Sequence, residues 1–377
     1  MKRMMFVLLA ISLTFGFIAC NDSDDNSDTL VIVSPYRDVN WQTHGQYKAA
    51  LHVHTRRSDG NYNFDSVIED HYEKGYHILT ITDHNVVNTD WTSGSNSLTP
   101  ARYAEITSGA GRADGRGMIR IPFTNEQSRN DHLNSFFADY NNNVSGDTLP
   151  SVIEKVADLD GLSFINHPGR YTGGQSGGTT GENASNNSAN INKYVHYFTT
   201  YTTCVGMEII NKKDGESASD RILWDNILHR TMPEGRFVWG FSNDDTHYNS
   251  DTGFSFNVFV MPANTTENFR STMLNGNFYA VARVSKRELG SLFVGTGPYP
   301  EITNIVTNES ALSITITAQH AEDIDWIADG VVIFTGETIL LEDHRDDISS
   351  YVRANIKGPG GIAFTQPFRV NWANATH

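Results

Sequence analysis

Two histidines stand two residues apart in Leu51-His52-Val53-His54-Thr55, inside a short apolar run. On a β-strand, residues i and i+2 point to one face, so the two imidazoles lie side by side and can hold a single cation between them. Further nitrogen and oxygen donors recur at the ends of later apolar runs: Asp59, His84, Glu126, His132, His167, Asp245 and His247. Each has an ordinary reading alone: Asp59 beside Gly60 as a turn residue, His84 near a helix cap, the rest as packed or solvated side chains. Taken together, six histidines and three carboxylates set after strand-like stretches predict a metal site. Imidazole and carboxylate donors without thiolates suit Zn, Mn or Fe.

Repeated units position these donors. Phe64, Val67, Ile68 and Tyr72 form one helical stripe that ends at Gly75, and residues 78–82 then read as a buried strand running into Asp83-His84. The pattern recurs with a strand over 119–124 before Asn125-Glu126, a helix over 150–159 that Gly161 terminates, and a strand over 162–165 before Asn166-His167. A strand over 205–210 precedes a helix over 219–229 bearing Leu223, Trp224, Ile227 and Leu228, and a strand over 236–241 leads to Asp245-Thr246-His247. Chemistry collected at the carboxyl ends of strands in repeated βα units predicts an α/β barrel with its site in the carboxyl-terminal loops. An open doubly wound sheet is the alternative, but no glycine-rich phosphate turn follows the first strand.

Residues 172–192, rich in Gly, Ser, Thr and Asn, follow His167 as a lid or a surface loop, and 88–117 are similar with a short helix near 101–106. Beyond Gly297 the period changes. Leu312, Ile314 and Ile316 alternate with polar residues, Asp329-Gly330 marks a hairpin, and Val352, Ala354 and Ile356 alternate again, which predicts a small all-β sandwich over 297–377.

The 377 residues carry a formal charge of −16, the reverse of a nucleic-acid-binding footprint, so no nucleic-acid polymer is expected as a partner. A small phosphorylated substrate is compatible, because cations supply positive field locally. Lys2 and Arg3 precede an apolar run over 6–19, too short for a membrane span and suited to a signal peptide. Ala19-Cys20 at its end resembles the lipobox of bacterial lipoproteins, which implies cleavage after residue 19, lipidation of Cys20 and membrane attachment through an acidic tether over 20–45. The acidic, Ser-rich stretch after Cys20 also resembles export tags, so an outer-membrane lipoprotein facing the periplasm or the cell surface is expected. Cys204 reads as a core residue, His71 and His77 as structural, and His196, His229, His320 and His344 carry no motif.

The order HxH, Ser58-Asp59-Gly60, Thr82-Asp83-His84-Asn85, Asn125-Glu126, Asp131-His132-Leu133-Asn134, Asn166-His167-Pro168 and Asp245-Thr246-His247 resembles the PHP (polymerase and histidinol phosphatase) domain family. That resemblance implies a distorted (β/α)7 TIM-like barrel over 46–296 that holds two or three divalent ions and hydrolyses phosphate esters with a metal-activated hydroxide. It further implies one ion on His52, His54, Glu126 and Asp245, a second on Glu126, His132 and His167, and a third on Asp59, His84 and His247. Asp59 stands where many relatives carry histidine. Glu126 and Asp245 would then be catalytic through the ions they share, and Arg170 is a candidate clamp for phosphate oxygens, with Lys286 and Arg287 as further candidates. Alternatives are a metal-dependent hydrolase of another bond, as in the amidohydrolases, and a non-catalytic surface module with structural metals.

Overall fold

In the computed structural model, residues 31–141 and 146–372 are described. The expected signal peptide and Cys20 lie outside them, as does the tether as far as residue 30. The first strands are β1 (Val31–Val33) and β2 (Gly45–Ala50), followed by α1 (Phe64–Glu73), β3 (Ile78–Leu79), α2 (Pro100–Ser108) and β4 (Ile119–Arg120). Helix α1 buries Phe64, Val67, Ile68 and Tyr72, the apolar stripe of the sequence, and ends where Gly75 takes a φ of +78°. Strands β2, β3 and β4 pair in parallel.

A second sheet follows. It contains β5 (Asn125–Gln127), β6 (Leu133–Phe136), β7 (Leu162–Ile165), β8 (Cys204–Asn211) and β9 (Trp239–Asn243), in that spatial order. Helix α3 (Leu149–Asp158) connects β6 to β7, and α7 (Asp220–Thr231) connects β8 to β9. Isolated bridges tie the two sheets at both edges: His84 pairs with Glu126 and Val53 with Thr246, each in parallel. The strand ends that carry the histidines therefore face one another around a common rim. One strand breaks the alternation expected from sequence, because β6 runs antiparallel to both β5 and β7. Its reversal brings its amino end, and with it His132, to the rim that the other strands reach with their carboxyl ends.

The glycine- and asparagine-rich segment after His167 is largely helical, as α4 (Gly169–Thr172), α5 (Gly178–Ser185) and the start of α6 (Ser188–Thr200). Composition argues against helix there. Capping and burial override it: the Asn187 side chain accepts from the N–H groups of Ala189 and Asn190, and Ile191, Tyr194 and Phe198 are buried.

Strand β10 (Ser255–Met261) pairs antiparallel with β2 and with β11 (Phe278–Ala282), which flank α8 (Thr266–Asn275) in sequence. After α9 (Lys286–Leu289) come β12 (Glu301–Asn308), β13 (Ser313–Gln319), β14 (Asp323–Ala328), β15 (Val331–Thr335), β16 (Thr338–Leu340), β17 (Tyr351–Gly358), β18 (Gly361–Phe364) and β19 (Phe368–Asn371). Strands β12, β13 and β16 form their own sheet, whereas β18 pairs with β11, so hydrogen bonding runs on past residue 297. Asp329 and Gly330 both have positive φ, as the hairpin between β14 and β15 requires. One apolar cluster joins Phe64 and Ile68 of α1 to Ile302, Ile316, Trp326 and Ile356, and the carboxyl-terminal strands share it with the α/β region before them.

Beside that cluster, Phe164, Phe241, Phe278 and Phe259 stack at centroid distances of 4.4, 4.8 and 4.8 Å and lock β7, β9, β11 and β10 together. Such a floor fixes the strand ends that carry the donors.

Candidate metal centre

All nine donors singled out in the sequence lie together. Glu126 is their hub: its Oε1 is 2.8 Å from His132 Nδ1, 3.3 Å from His52 Nε2 and 3.6 Å from His167 Nε2. Its Oε2 is 2.9 Å from His84 Nδ1 and 3.3 Å from His54 Nε2. Asp245 Oδ1 faces the same centre, 3.1 Å from His54 Nε2, 3.4 Å from His52 Nε2 and 3.4 Å from His247 Nδ1. Asp59 closes the outer side, with Oδ2 3.2 Å from His247 Nε2 and 3.4 Å from His84 Nε2.

Local structure aims each group. A Cβ at Gly60 would lie 2.6 Å from the His54 carbonyl, so only glycine lets the turn bearing Asp59 fold back on the first strand. Asp83, itself buried, holds that turn by accepting from the Thr55 N–H at 2.7 Å, the Thr55 hydroxyl at 2.8 Å and the Ser58 hydroxyl at 2.8 Å. His167 and Asp245 both have positive φ, at 26° and 49°. Backbone strain of this kind costs on the order of 1–3 kcal/mol per residue and gathers at functional sites.

The charges are mutually dependent. Burial works against a charged His52, but Asp245, Glu126 and Glu208 outweigh it and hold its pKa well above the usual histidine range. Burial likewise opposes a charge on His84, and Asp59 and Glu126 raise its pKa to about 9. Burial alone would push Glu126 and Asp245 up; the imidazoles around them hold both well below the usual carboxylate range.

A cation fits this donor set. Among the described residues, five buried atoms of the cluster make no hydrogen bond, namely His54 Nε2, His84 Nδ1, Glu126 Oε2, His167 Nδ1 and Asp245 Oδ1, and all but His167 Nδ1 face one another only as charged neighbours at 2.9–3.3 Å. Buried polar atoms without a hydrogen bond cost about 1–3 kcal/mol each, and a cation among the four that face one another would satisfy them together. Four overlapping groups have donor atoms all within 4.8 Å of one another: His54, Asp59, His84 and His247; His52, His54 and Glu126; His52, His167 and Asp245; and His84, Glu126 and His132.

Several contributors escaped the sequence reading. Glu208, buried in β8, accepts from His52 Nδ1 at 2.8 Å and so leaves Nε2 free to face Glu126 and Asp245. Tyr171 packs its ring 5.7 Å from that of His132 and 5.8 Å from that of His167. Lys212 Nζ lies 3.1 Å from Asp245 Oδ2. Of the expected cations, Arg170 lines the same cavity of about 170 Å³ as the donors, half-exposed and 3.9 Å from Glu216. Lys286 and Arg287 line an adjoining cavity of about 920 Å³, which Arg170 and Glu216 also border. Cys204 is buried, and burial raises its thiol pKa to about 12. His71 and His77 are buried outside the cluster, and His229 pairs with Asp329 at 2.9 Å.

No family model matches the chain, and no curated protein matches it. Fourteen chains of solved structures do. The chain is similar to PHP-like metal-dependent phosphoesterases. One is a two-domain protein from Bacteroides vulgatus containing a predicted PHP-like metal-dependent phosphoesterase, at 13% identity over 89% of this chain and 88% of that one, with a TM-score of 0.47. An amidohydrolase from Chromobacterium violaceum, with bound sulfate and no metal, is similar at 14% identity over 60% of this chain and 96% of that one, with a TM-score of 0.37. A lesion-specific endonuclease from Pyrococcus furiosus is similar at 16% identity over 60% of this chain and 55% of that one, with a TM-score of 0.34.

Proposed function

We propose that the chain is a metal-dependent phosphoesterase with a distorted (β/α)7 barrel, acting on small phosphate esters at a site for two or three divalent ions. The observation that carries this reading is the convergence of six imidazoles and three carboxylates, in overlapping groups, where buried ligand atoms make no hydrogen bond among the described residues. His52, His54, Glu126 and Asp245 would hold one ion, Glu126, His132 and His167 a second, and Asp59, His84 and His247 a third. Only a carboxylate can lend one oxygen to each of two neighbouring ions, which suits Glu126, the hub. When bound, such ions acidify a water and draw charge from the phosphoryl oxygens.

The chain's own groups do the rest. Glu208 fixes the His52 tautomer, and Asp83 holds the Asp59 turn. Tyr171 packs its ring against those of His132 and His167 and so would help to hold both imidazoles in place. Arg170, with its planar fork, would grip the non-bridging phosphate oxygens. An arginine at the cavity would favour an anionic ester over a neutral amide, which supports phosphate chemistry over the amidohydrolase alternative. At the amino terminus, the run over 6–19 and Cys20 support export as an outer-membrane lipoprotein that works in the periplasm or at the cell surface.

The test is turnover of an aryl phosphate and an aryl phosphodiester by protein loaded with Mn or Zn. His54→Ala and Asp245→Ala are expected to lose both metal and activity. Full activity in either variant contradicts the assignment, and metal-replete protein that leaves every phosphate ester intact revives the binding-module reading.

A further inference from the structure

Three consecutive non-glycine residues after β8, Lys212, Lys213 and Asp214, have left-handed backbones, with φ of 47°, 55° and 56°. A single such residue is uncommon, and a run of three persists only if its surroundings impose it. They do so through Asp214. Its carboxylate accepts from both Arg221 terminal nitrogens at 2.7 and 2.8 Å, from the Ser217 hydroxyl at 2.8 Å and from the Lys286 N–H at 2.7 Å. Gly215 completes the turn, since a Cβ there would lie 2.9 Å from the Lys212 carbonyl oxygen.

The turn separates two adjacent lysines. Lys213 goes outward to Asp251 at 3.4 Å. Lys212 goes inward and lines the cavity of the metal centre, 3.1 Å from Asp245 Oδ2. Glu216 lies across the mouth, with Oε1 3.6 Å from Lys212 Nζ and Oε2 3.9 Å from Arg170 Nη1. Both separations exceed hydrogen-bond length. The Oε2 atom is buried and has no hydrogen-bond partner. A carboxylate thus sits loosely between the two cations of the cavity, where an anion with more oxygens could reach both at once.

We propose that Lys212 binds the phosphoryl group of the substrate, and that Glu216 occupies that place until the substrate displaces it. This rests on the phosphoesterase reading and adds to it a specificity-determining pair. A lysine is a compact point charge that follows the oxygens of a phosphoryl group, while Arg170 supplies a fixed fork. Displacing Glu216 makes the site selective for anions, because a neutral group cannot take the place of a carboxylate between two cations.

Metal-replete protein titrated with inorganic phosphate, together with KM and kcat on an aryl phosphate and metal content by elemental analysis, tests the pair with opposite signs. Lys212→Gln should weaken phosphate binding and raise KM at least tenfold while the ions stay, and Lys212→Arg should recover part of the loss. Glu216→Gln should tighten phosphate binding severalfold, a gain that a damaged fold does not produce. If Lys212→Gln instead sheds its ions, the lysine only balances the charge of Asp245 and the proposal is overturned. Unchanged phosphate affinity in Lys212→Gln, or weaker binding in Glu216→Gln, overturns it alone. Wild-type protein that holds metal but binds no phosphate and turns over no ester overturns the phosphoesterase reading and this inference together.

Discussion

Replacing Glu208 by glutamine keeps the volume of the side chain and removes its charge, in a position where four donors converge. His52 Nδ1 and Asn243 Nδ2 each donate to Oε1 at 2.8 Å. The His167 N–H at 2.8 Å and Asn211 Nδ2 at 2.9 Å donate to Oε2. A carboxamide accepts at only one of its two ends, so its NH2 must face two donors whichever way it turns. With the NH2 toward the His167 N–H and Asn211, two buried donors lack a partner, at about 1–3 kcal/mol each or about 2–6 kcal/mol of folding free energy; with it toward His52 and Asn243, only Asn243 does, at about 1–3 kcal/mol. If the NH2 faces His52, the imidazole proton moves to Nε2 and closes the atom that points at Glu126 and Asp245. Losing such an orienting partner typically costs 10–100-fold in metal affinity. Urea denaturation and competition against a fluorescent chelator measure both effects. A variant within about 1 kcal/mol of wild type that binds Zn as tightly would refute the role given to Glu208.

Acid should destabilise the fold before carboxylates titrate. Burial holds the pKa of His71 and of His77 at about 4, so between pH 6.5 and 4 the unfolded chain takes up protons that the folded chain refuses. The contribution of His71 and His77 is full above 6.5 and falls by roughly 2 kcal/mol per histidine at pH 5, and urea midpoints unchanged from pH 7 to 5 contradict this. Arg353 and Asp225 make a buried bidentate pair, both bonds 2.7 Å, between β17 and α7. Asp225→Ala strands the guanidinium and should cost about 3–5 kcal/mol, against less than 1 if the pair is incidental. Dialysis against a chelator should lower the melting temperature, because ions at about 100 times their Kd contribute about 2.7 kcal/mol per site; an unmoved melting curve argues against resident ions.

The donors were legible because most of them, all but Asp59 in a polar turn and His132 ahead of its strand, lie in or directly after an apolar run that reads as a strand, and strand ends meet when strands pair side by side. Glu208 was not, because β8 is buried along its whole length and shows no alternation to set one polar residue apart. Lys212 was hidden for another reason: Asn211-Lys212-Lys213-Asp214-Gly215 has the composition of any solvated turn, and its backbone is fixed by Arg221 and by the Lys286 N–H, the latter 72 residues away from Asp214. The reversal of β6 depends on its pairing with both neighbours, which local pattern does not encode. Similarly, alternation located the carboxyl-terminal strands, but the link from β11 to β18 spans a separation that no local period reports.

The strand tips are expected to grip divalent ions between them. Anomalous diffraction from crystals grown with Zn or Mn reads this out. At least two peaks are expected, one within coordination distance of His52, His54 and Asp245 and another beside Glu126 and His132. A map with no peak among these side chains at millimolar metal, or with metal bound only elsewhere, would contradict it.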